Sequence, residues 1–297
     1  MTNHHQFTPQ LTADGSYTFF SQEFDEAFHS HRGAKTEALL KFTEFCRINQ
    51  QASNNNSLKL LDICYGLGYN SASALETIWS VNPQCQVELI GLELDLSVPQ
   101  QAIKYHCLEQ YFDPIPALLN KLAINCQVEE KRLKAQLLIG DARQTIQGLS
   151  QSDWQADAIF LDPFSPPKCP QLWTVEFLYL VSACLKKTGI LATYSCAAAV
   201  RTALNSVGLK IGSTDKVMRK TPGTIANFSG NYLLPLSFQE LEHLQTRASI
   251  PYRDPQLKDS PELIWQRRQQ EQQQSSLEPT THWKKRWESH RGANRSK

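Results

Sequence analysis

The sequence lacks any apolar run approaching the ~18 residues of a membrane-spanning helix, so no membrane span and no membrane partner are predicted. Its first residues, MTNHHQFTPQ, contain neither a basic nor an apolar segment, so we expect no signal peptide. A charge excess is also missing: the net charge is +1, with 20% charged and 41% hydrophobic residues. We therefore expect a folded cytoplasmic protein rather than a membrane-embedded or disordered one.

The eight cysteines show no C-x-x-C spacing, and no histidine lies at a zinc-finger distance from them. A zinc site is therefore not expected, and we predict no bound metal. A disulfide framework needs an oxidising, secreted context, for which the sequence carries no signal. We interpret the cysteines as reduced thiols, most of them buried as small hydrophobic side chains.

Beyond residue 57 the chain alternates apolar strands with helices, which indicates an α/β fold with a parallel sheet covered on both faces. Seven strands are predicted, at 58–64, 87–94, 135–139, 158–161, 190–194, 209–212 and 224–228. The last two have no long helix between them, which predicts one antiparallel strand at the end. This mostly parallel layout is typical of Rossmann-like class I methyltransferases.

Three regions are predicted. Residues 1–56 form an N-terminal extension with a helix over 34–48 and a polar linker, NQQASNNNS, at 49–57. Residues 57–234 form the methyltransferase domain, with a helical insertion at about 97–134 that is longer than a crossover needs. Residues 235–297 form a polar, basic C-terminal extension.

A glycine turn, CYGLGYN, follows the first predicted strand, at the edge where doubly wound sheets bind ligands. It supplies G-x-G, but Ser71 stands where a pyrophosphate-binding fingerprint has its third glycine, and no Walker A lysine follows. A ligand with ribose and adenine but no phosphates fits better, which favours S-adenosylmethionine over a nicotinamide cofactor. The cofactor contacts predicted around this turn are Asp62, Tyr65, Gly66, Gly68 and Asn70.

Three acidic residues end predicted strands: Glu93, Asp141 and Asp162. Glu93 follows Gly66 at a chain distance where a carboxylate binds the ribose hydroxyls of an adenosine. Asp141, with Ala142, is predicted beside the adenine amino group, whose hydrogen bond a carboxylate accepts. The competing interpretation makes these carboxylates helix N-caps, which strand-to-helix turns favour.

The most unusual stretch is FLDPFSPPKCPQLW, residues 160–173, with four prolines in the eight residues 163–170. Such a run is costly in a helix or a central strand, so it predicts a stiff loop that fixes Asp162 and Phe164. A substrate amine is mostly protonated at neutral pH, and Asp162 can orient it and accept its proton, while Phe164 packs against a base. We predict that Asp162 and Phe164 are catalytic and that Asp162 also contacts the cofactor. The alternative is a structural turn with Asp162 at its hydrogen-bonding corner.

Four stretches together resemble the methyltransferase part of the MnmC-type tRNA-modifying enzymes: DGSYTFFSQEFDEAFHSHRGAKTEALLKF, DICYGLGYN, FLDPFSPPKCPQLW and GILATYSCAAAVRTALNSVGLKI. The resemblance covers roughly residues 14–230, and the proline loop is its most diagnostic motif. It implies methylation of the amine of 5-aminomethyluridine, usually 2-thiolated, at the tRNA wobble position, with S-adenosylmethionine as methyl donor. It also implies cofactor roles for Gly66, Gly68, Glu93 and Asp141, and a place beside the substrate amine for Asp162.

The chain departs from the bifunctional members of that family in three respects. It has no room for their FAD-dependent oxidase domain, so it resembles a stand-alone form that receives its aminomethyl substrate from elsewhere. Pro163 stands where glycine often follows the aspartate. The CYGLG turn differs from the Phe and Thr that surround the glycines in bifunctional members.

Basic residues interleave with Trp283 and Trp287 near the C-terminus, over 281–297, a pattern suited to phosphate contact and base stacking. The competing interpretation is a solvated basic tail. We expect a monomer that binds tRNA through Lys168, Arg201, Arg219, Lys220, Lys284, Lys285 and Arg286.

Three other functions stay open at this point. The same fold and cofactor could serve another RNA or a small amine. A nicotinamide-dependent oxidoreductase would need tight NADH binding despite the missing third glycine. A non-catalytic RNA-binding module would show no methyl transfer.

Overall fold

The N-terminal region folds into a small antiparallel sheet and a broken helix. The computed structural model describes residues 7–216 and 221–293, with side chains described as far as residue 288. The small sheet consists of β1 (Thr8–Leu11), β2 (Tyr17–Ser21) and β3 (Glu26–Ala27). It is followed by α1 (Ala34–Ala38), a π-helical turn (Leu39–Thr43) and α2 (Ile48–Asn54).

This region differs from two sequence predictions. The single helix predicted over 34–48 is interrupted, and the stretch 49–57, predicted as a linker, is helical over most of its length. Ile48 and Ala52 are buried and hold α2 against the core. Because this stability comes from tertiary packing rather than from local propensity, the polar composition of the segment gave no sign of it.

A central sheet of eight strands carries the fold. The strands are β4 (Ser57–Ile63), β5 (Gln86–Glu93), β6 (Gln127–Glu130), β7 (Leu133–Ile139), β8 (Ala156–Leu161), β9 (Leu185–Thr193), β10 (Lys210–Ser213) and β11 (Thr224–Asn227). Their order across the sheet is β10-β11-β9-β8-β4-β5-β7-β6. Strands β4, β5, β7, β8 and β9 are parallel, and β11 runs antiparallel between β9 and β10.

The predicted α/β class, the mostly parallel sheet and the antiparallel strand near its end are confirmed, but the strand number of seven is wrong. The eighth strand, β6, lies inside the segment predicted as a helical insertion and pairs antiparallel with β7 at the sheet edge. Of its four residues only Val128 is buried. A short, charged edge strand has no apolar alternation for a sequence pattern to detect.

Helices cover both faces of the sheet. They are α3 (Tyr69–Val81), α4 (Ser97–Lys104), α5 (Ile115–Asn125), α6 (Ala142–Ser150), α7 (Val175–Ala183) and α8 (Ala198–Ser206), with a short 3₁₀ helix at Pro170–Trp173. Because side chains along a strand point to alternate faces, each central strand supplies two apolar layers. On β4, Leu60 packs in the layer of Leu75 from α3, and Leu61 packs in the opposite layer with Phe177 from α7.

The described chain beyond residue 234 packs back onto the α6–α8 layer. It contains α9 (Phe238–His243), α10 (Pro261–Gln274) and α11 (Thr280–Ala293). Tyr252 forms a parallel bridge with Thr174, and it is buried together with Ile264 of α10. The region predicted over 235–297 therefore contributes to the core of the domain predicted over 57–234, and the boundary between them stays a prediction.

Candidate active site

The glycine turn joins β4 to α3 and requires glycine at two positions. Gly66 and Gly68 have φ values of 56° and 84°, in the left-handed region that favours glycine. A Cβ atom on Gly68 would lie 2.7 Å from the hydroxyl oxygen of Tyr65, so the ring of Tyr65 leaves no space for a side chain there. The Tyr65 ring also leaves no space for a side chain on Gly91 of β5, where a Cβ would lie 3.0 Å from Tyr65 Cδ2 and 2.6 Å from Leu137 Cδ2.

Glu93, the last residue of β5, is bonded to this turn. The Gly66 N–H donates to its Oε2 at 2.8 Å, and the Asp95 N–H donates to its Oε1 at 2.9 Å. Burial raises the pKa of Glu93 to about 7, although the two backbone donors favour its charged form. The turn and the carboxylate therefore form one rigid unit, in which the carboxylate keeps lone pairs for a ligand.

Asp62 and Asn70 lie on either side of the turn. Asp62 is fully buried and accepts a hydrogen bond from Ser71 Oγ at 2.6 Å, and burial raises its pKa to about 7. Asp62 and Gly68 are not among the residues that line the cavity described below, and the cofactor contact predicted for them stays a prediction. Asn70 does line the cavity, and its Nδ2 donates to Asp162 Oδ2 at 3.0 Å.

Asp141 caps the N-terminus of α6, as the competing interpretation of the sequence had it. Its Oδ1 accepts the Arg143 N–H at 2.9 Å, and its Oδ2 accepts Arg143 Nη2 at 2.7 Å. The carboxylate is nevertheless 36% exposed, and both Asp141 and Ala142 line the cavity. Asp141 can therefore cap α6 and still contact a ligand in the cavity.

Asp162 directly follows β8 and begins the proline loop. Its pKa is raised well above the usual range, first by burial and then by the negative charge of Glu37, while the hydrogen bond from Asn70 opposes the shift. Glu37 forms a buried ion pair with Lys41, on the helical segment that faces this part of the cavity. The neutral form of Asp162 is favoured until a positive charge comes close.

The proline loop is held in place from both sides. Tyr194 Oη donates to the Pro163 carbonyl at 2.8 Å, and Trp173 Nε1 donates to the Phe164 carbonyl at 2.9 Å. The Ser165 N–H donates to Glu26 Oε2 of the N-terminal sheet at 2.9 Å. These bonds and the prolines restrict the loop that carries Asp162.

The N-terminal sheet forms a cavity wall to which sequence reasoning assigned no function. Phe24 stacks on Phe164 with ring centroids 4.5 Å apart, and Phe28 meets the same ring edge-on at 5.1 Å. Phe164 is thus one member of a three-ring aromatic surface. The only sequence signal for this wall was FDEAF inside the stretch that carries the family resemblance, and no chemistry is readable from that stretch alone.

One cavity brings these groups together at the carboxyl edge of β4, β5, β7 and β8. Its lining contains seven carboxylates, from Glu23, Glu26, Glu37, Glu93, Asp95, Asp141 and Asp162. Among the described residues that line it there is no lysine or arginine. Such a cavity suits a cationic ligand and opposes a pyrophosphate, which needs positive charge or free backbone N–H groups.

The structure contradicts one predicted tRNA contact. Arg201 is 2% exposed, and its guanidinium pairs with Glu240 at 2.8 Å and donates to Thr224 Oγ1 at 3.0 Å. It is therefore a buried structural ion pair, out of reach of a phosphate. Lys168 is exposed beside the cavity and pairs with Asp25 at 2.9 Å, while Arg219 and Lys220 lie outside the described residues.

The basic side chains of α11 that the structure describes are on the surface, whereas the two tryptophans between them contact α9. Lys284 and Lys285 are exposed, and Arg286 pairs with Glu242 and Glu278. Trp283 is buried and stacks on His243 at 4.4 Å. Trp287 donates its indole N–H to Glu242 at 2.7 Å. These rings attach α11 to α9. The predicted base stacking is wrong for the buried Trp283 and stays a prediction for the partly buried Trp287.

All eight cysteines are free thiols, and most are buried. In the part of the chain that the structure describes, no three His, Cys, Asp or Glu side chains are grouped so as to hold a metal ion. The helices of that part include none with the length and apolar character needed to cross a membrane.

Comparison with known proteins identifies the family. A family model described as S-adenosyl-L-methionine-dependent methyltransferase matches residues 101–229. The crystal structure of MNMC2 from Aquifex aeolicus matches with a TM-score of 0.80 and 31% identity, over 92% of this chain and 87% of that one. The chain belongs to the MnmC2 methyltransferase family. As a member it is an S-adenosylmethionine-dependent methyltransferase, and the carboxylate-rich cavity fits this cationic cofactor.

Curated relatives of this MnmC2 family member are longer than the chain. The bifunctional protein MnmC of Ralstonia nicotianae, named for tRNA 5-methylaminomethyl-2-thiouridine biosynthesis, is 29% identical over 235 residues, which are 74% of this chain and 34% of the relative. An uncharacterised protein of Methanocaldococcus jannaschii is 31% identical over 253 residues, 82% of this chain and 66% of the relative. The chain thus spans about a third of the length of the bifunctional relatives.

Proposed function

We propose that this enzyme methylates the amine of 5-aminomethyluridine, or of its 2-thio form, at the wobble position of tRNA. The observation that carries the proposal is the cavity with seven carboxylates, which suits a sulfonium methyl donor together with an amine acceptor. The likeness to MNMC2 and to the bifunctional MnmC proteins supports the tRNA substrate.

On the cofactor side, we assign the ribose hydroxyls to Glu93 and the adenine amino group to Asp141 beside Ala142. Glu93 is held by two backbone donors and so needs little reorganisation to accept hydrogen bonds. Tyr65, Gly66 and Asn70 complete the lining on this side. When bound, S-adenosylmethionine supplies an electrophilic methyl group on a sulfonium.

On the acceptor side, Asp162 orients the substrate amine and takes its proton. Burial raises the pKa of Asp162 well above its usual range, and the positive charges of cofactor and amine favour its ionised form, which can then accept a proton. The nitrogen is left with a lone pair for the new N–C bond, which replaces the bond between the methyl group and sulfur. The Asp162 side chain is only partly buried and returns the proton to solvent. Phe164 and Phe24 offer an apolar surface for the pyrimidine ring.

The test is methyl transfer from labelled S-adenosylmethionine to tRNA isolated from cells that lack the final methylation, followed by nucleoside analysis. We expect label in 5-methylaminomethyluridine or its 2-thio form, and none with fully modified tRNA as the control. Label in a different nucleoside, or only in a small amine, would contradict the substrate assignment. Tight binding of NADH would instead favour the oxidoreductase, which the lack of cationic lining opposes.

A further inference from the structure

Arg143 joins the cavity wall to the C-terminal extension. Its Nε and Nη2 donate to Asp141 Oδ2 at 3.1 and 2.7 Å. Its Nη1 donates to Asp254 Oδ2 at 2.8 Å and to the Asp259 carbonyl at 2.9 Å. One guanidinium therefore bridges a carboxylate that lines the cavity and a carboxylate more than a hundred residues further along the chain.

The far end of this bridge is firmly placed. Asp254 is fully buried, and its Oδ1 accepts the N–H groups of Lys258 and Asp259 at 3.1 and 3.2 Å. Its own N–H donates to Glu176 Oε2 of α7 at 2.8 Å. Because a buried carboxylate with this many donors has little freedom, it fixes the guanidinium that contacts it.

Asp141 at the near end has no comparable anchor. It is 36% exposed, and its side-chain oxygens accept bonds only from the N–H and guanidinium of Arg143 among the hydrogen bonds of the described residues. The helix N-terminus holds Oδ1 through the Arg143 N–H, whereas Oδ2 is bonded only by the guanidinium, so the orientation of the Asp141 carboxylate plane depends on where the Arg143 side chain is held.

We propose that Arg143 and Asp254 are positioning residues that hold the Asp141 carboxylate in its cofactor-binding orientation, so that the C-terminal extension is part of the cofactor site. The inference rests on the adenine contact proposed for Asp141. Docking of the segment around Asp254 then raises the affinity for the cofactor, and binding of the cofactor stabilises the docked segment. The two equilibrium constants must change by the same factor.

The test is a double-mutant cycle read by calorimetric binding of S-adenosylhomocysteine, which needs no RNA. We expect Asp254→Asn and Asp141→Asn each to raise Kd by about fivefold to tenfold, and the double variant to be no worse than the single ones. Glu262→Gln is the matched control, since it removes one negative charge from the exposed first turn of α10, and no hydrogen bond of the described residues joins its side chain to Arg143 or Asp254. Its Kd should equal that of the wild type.

Additive effects in the double variant, or an unchanged Kd in Asp254→Asn, would overturn the coupling. An unchanged Kd in Asp141→Asn would overturn the adenine contact and the coupling with it, but not the proposed tRNA substrate, which is tested by nucleoside analysis. If Asp254→Asn does not fold, hydrogen exchange on the wild-type protein decides: S-adenosylhomocysteine should slow exchange of the amides of residues 254 and 256–259, and unchanged exchange there would refute the proposal.

Discussion

The two walls of the cavity are built by different means. The wall at the sheet edge uses backbone groups at strand ends, such as the N–H groups that hold Glu93, so its geometry follows from the fold. The opposite wall depends on contacts between the N-terminal region and the proline loop, such as the Ser165 N–H with the Glu26 carboxylate and the Phe24 ring with the Phe164 ring. In our proposal the first wall holds the cofactor and the second receives the acceptor base. Asp162, at the end of a strand and the start of the proline loop, belongs to both.

Asp162→Asn is expected to distinguish the functions of the two walls most clearly. Loss of the proton acceptor should lower single-turnover methyl transfer by about 10²-fold or more, while the Kd of S-adenosylhomocysteine changes by less than about twofold. The measurement is rapid-quench transfer at saturating cofactor and hypomodified tRNA. Asp25→Asn, an exposed carboxylate near the same loop, should leave the rate unchanged. Full activity of Asp162→Asn would mean that the residue is only a structural corner.

Glu93→Gln should act on the other wall alone. An amide can accept only one of the two backbone N–H groups that Glu93 accepts, so we expect cofactor Kd to rise about tenfold or more with turnover at saturating cofactor retained. Because burial raises the pKa of Glu93 to about 7, its carboxylate is protonated below that pH and ionised above it. Wild-type cofactor affinity should therefore rise between pH 6 and 8, and the rise should be smaller in Glu93→Gln. An equally steep pH profile in the variant would assign the titration to another group, such as Asp62.

The same contrast explains what the sequence could and could not predict. The glycine turn, Glu93 and Asp162 were predictable because each of them lies at the end of an apolar strand, which is a pattern visible within a short stretch of sequence. The stacking of Phe24 on Phe164 and the hydrogen bond from Ser165 to Glu26 depend on segments that meet only in the folded protein. No local pattern specifies such a pairing.

Burial of Arg201 was unpredictable for a related reason. A charged side chain is almost always exposed unless it is paired, and its partner Glu240 lies on a separate helix in the C-terminal extension. The short strand β6 was missed because its residues carry mostly edge-strand charges rather than apolar side chains. Sequence reasoning thus predicted the residues at the strand ends and in the proline loop, including Asp162 and Phe164, and left the N-terminal wall of the cavity to the structure.

Removal of one aromatic ring from the acceptor wall should weaken tRNA binding and leave cofactor binding unchanged. Phe24→Ala deletes the ring stacked on Phe164, and we expect the KM for tRNA to rise about fivefold with cofactor Kd unchanged. Steady-state methyl transfer with varied tRNA measures this effect. Phe238→Ala, which removes a 68% exposed phenylalanine of α9, is the control and should keep the wild-type KM. A weaker cofactor Kd in Phe24→Ala would show that the two walls are not independent.

The smallest effect is expected outside both walls. Lys284→Ala combined with Lys285→Ala removes two exposed charges from α11, and tRNA affinity should fall by less than about tenfold, with a salt dependence shallower by roughly two units of slope. Filter binding over a range of salt concentrations measures both. Lys131→Ala, an exposed lysine of the β6–β7 turn, serves for comparison. An unchanged salt slope in the double variant would make α11 a solvated helix with no RNA contact.

Gly91 limits which substitutions this sequence can tolerate. It lies in the middle of β5 and does not line the cavity, yet any larger residue would press on Tyr65, whose hydroxyl in turn lies against Gly68 of the turn. In a saturation screen for cofactor binding, Gly91 should tolerate as few replacements as Gly68 itself. Loss-of-function alleles of the enzyme should therefore include changes at a strand position that contacts no ligand.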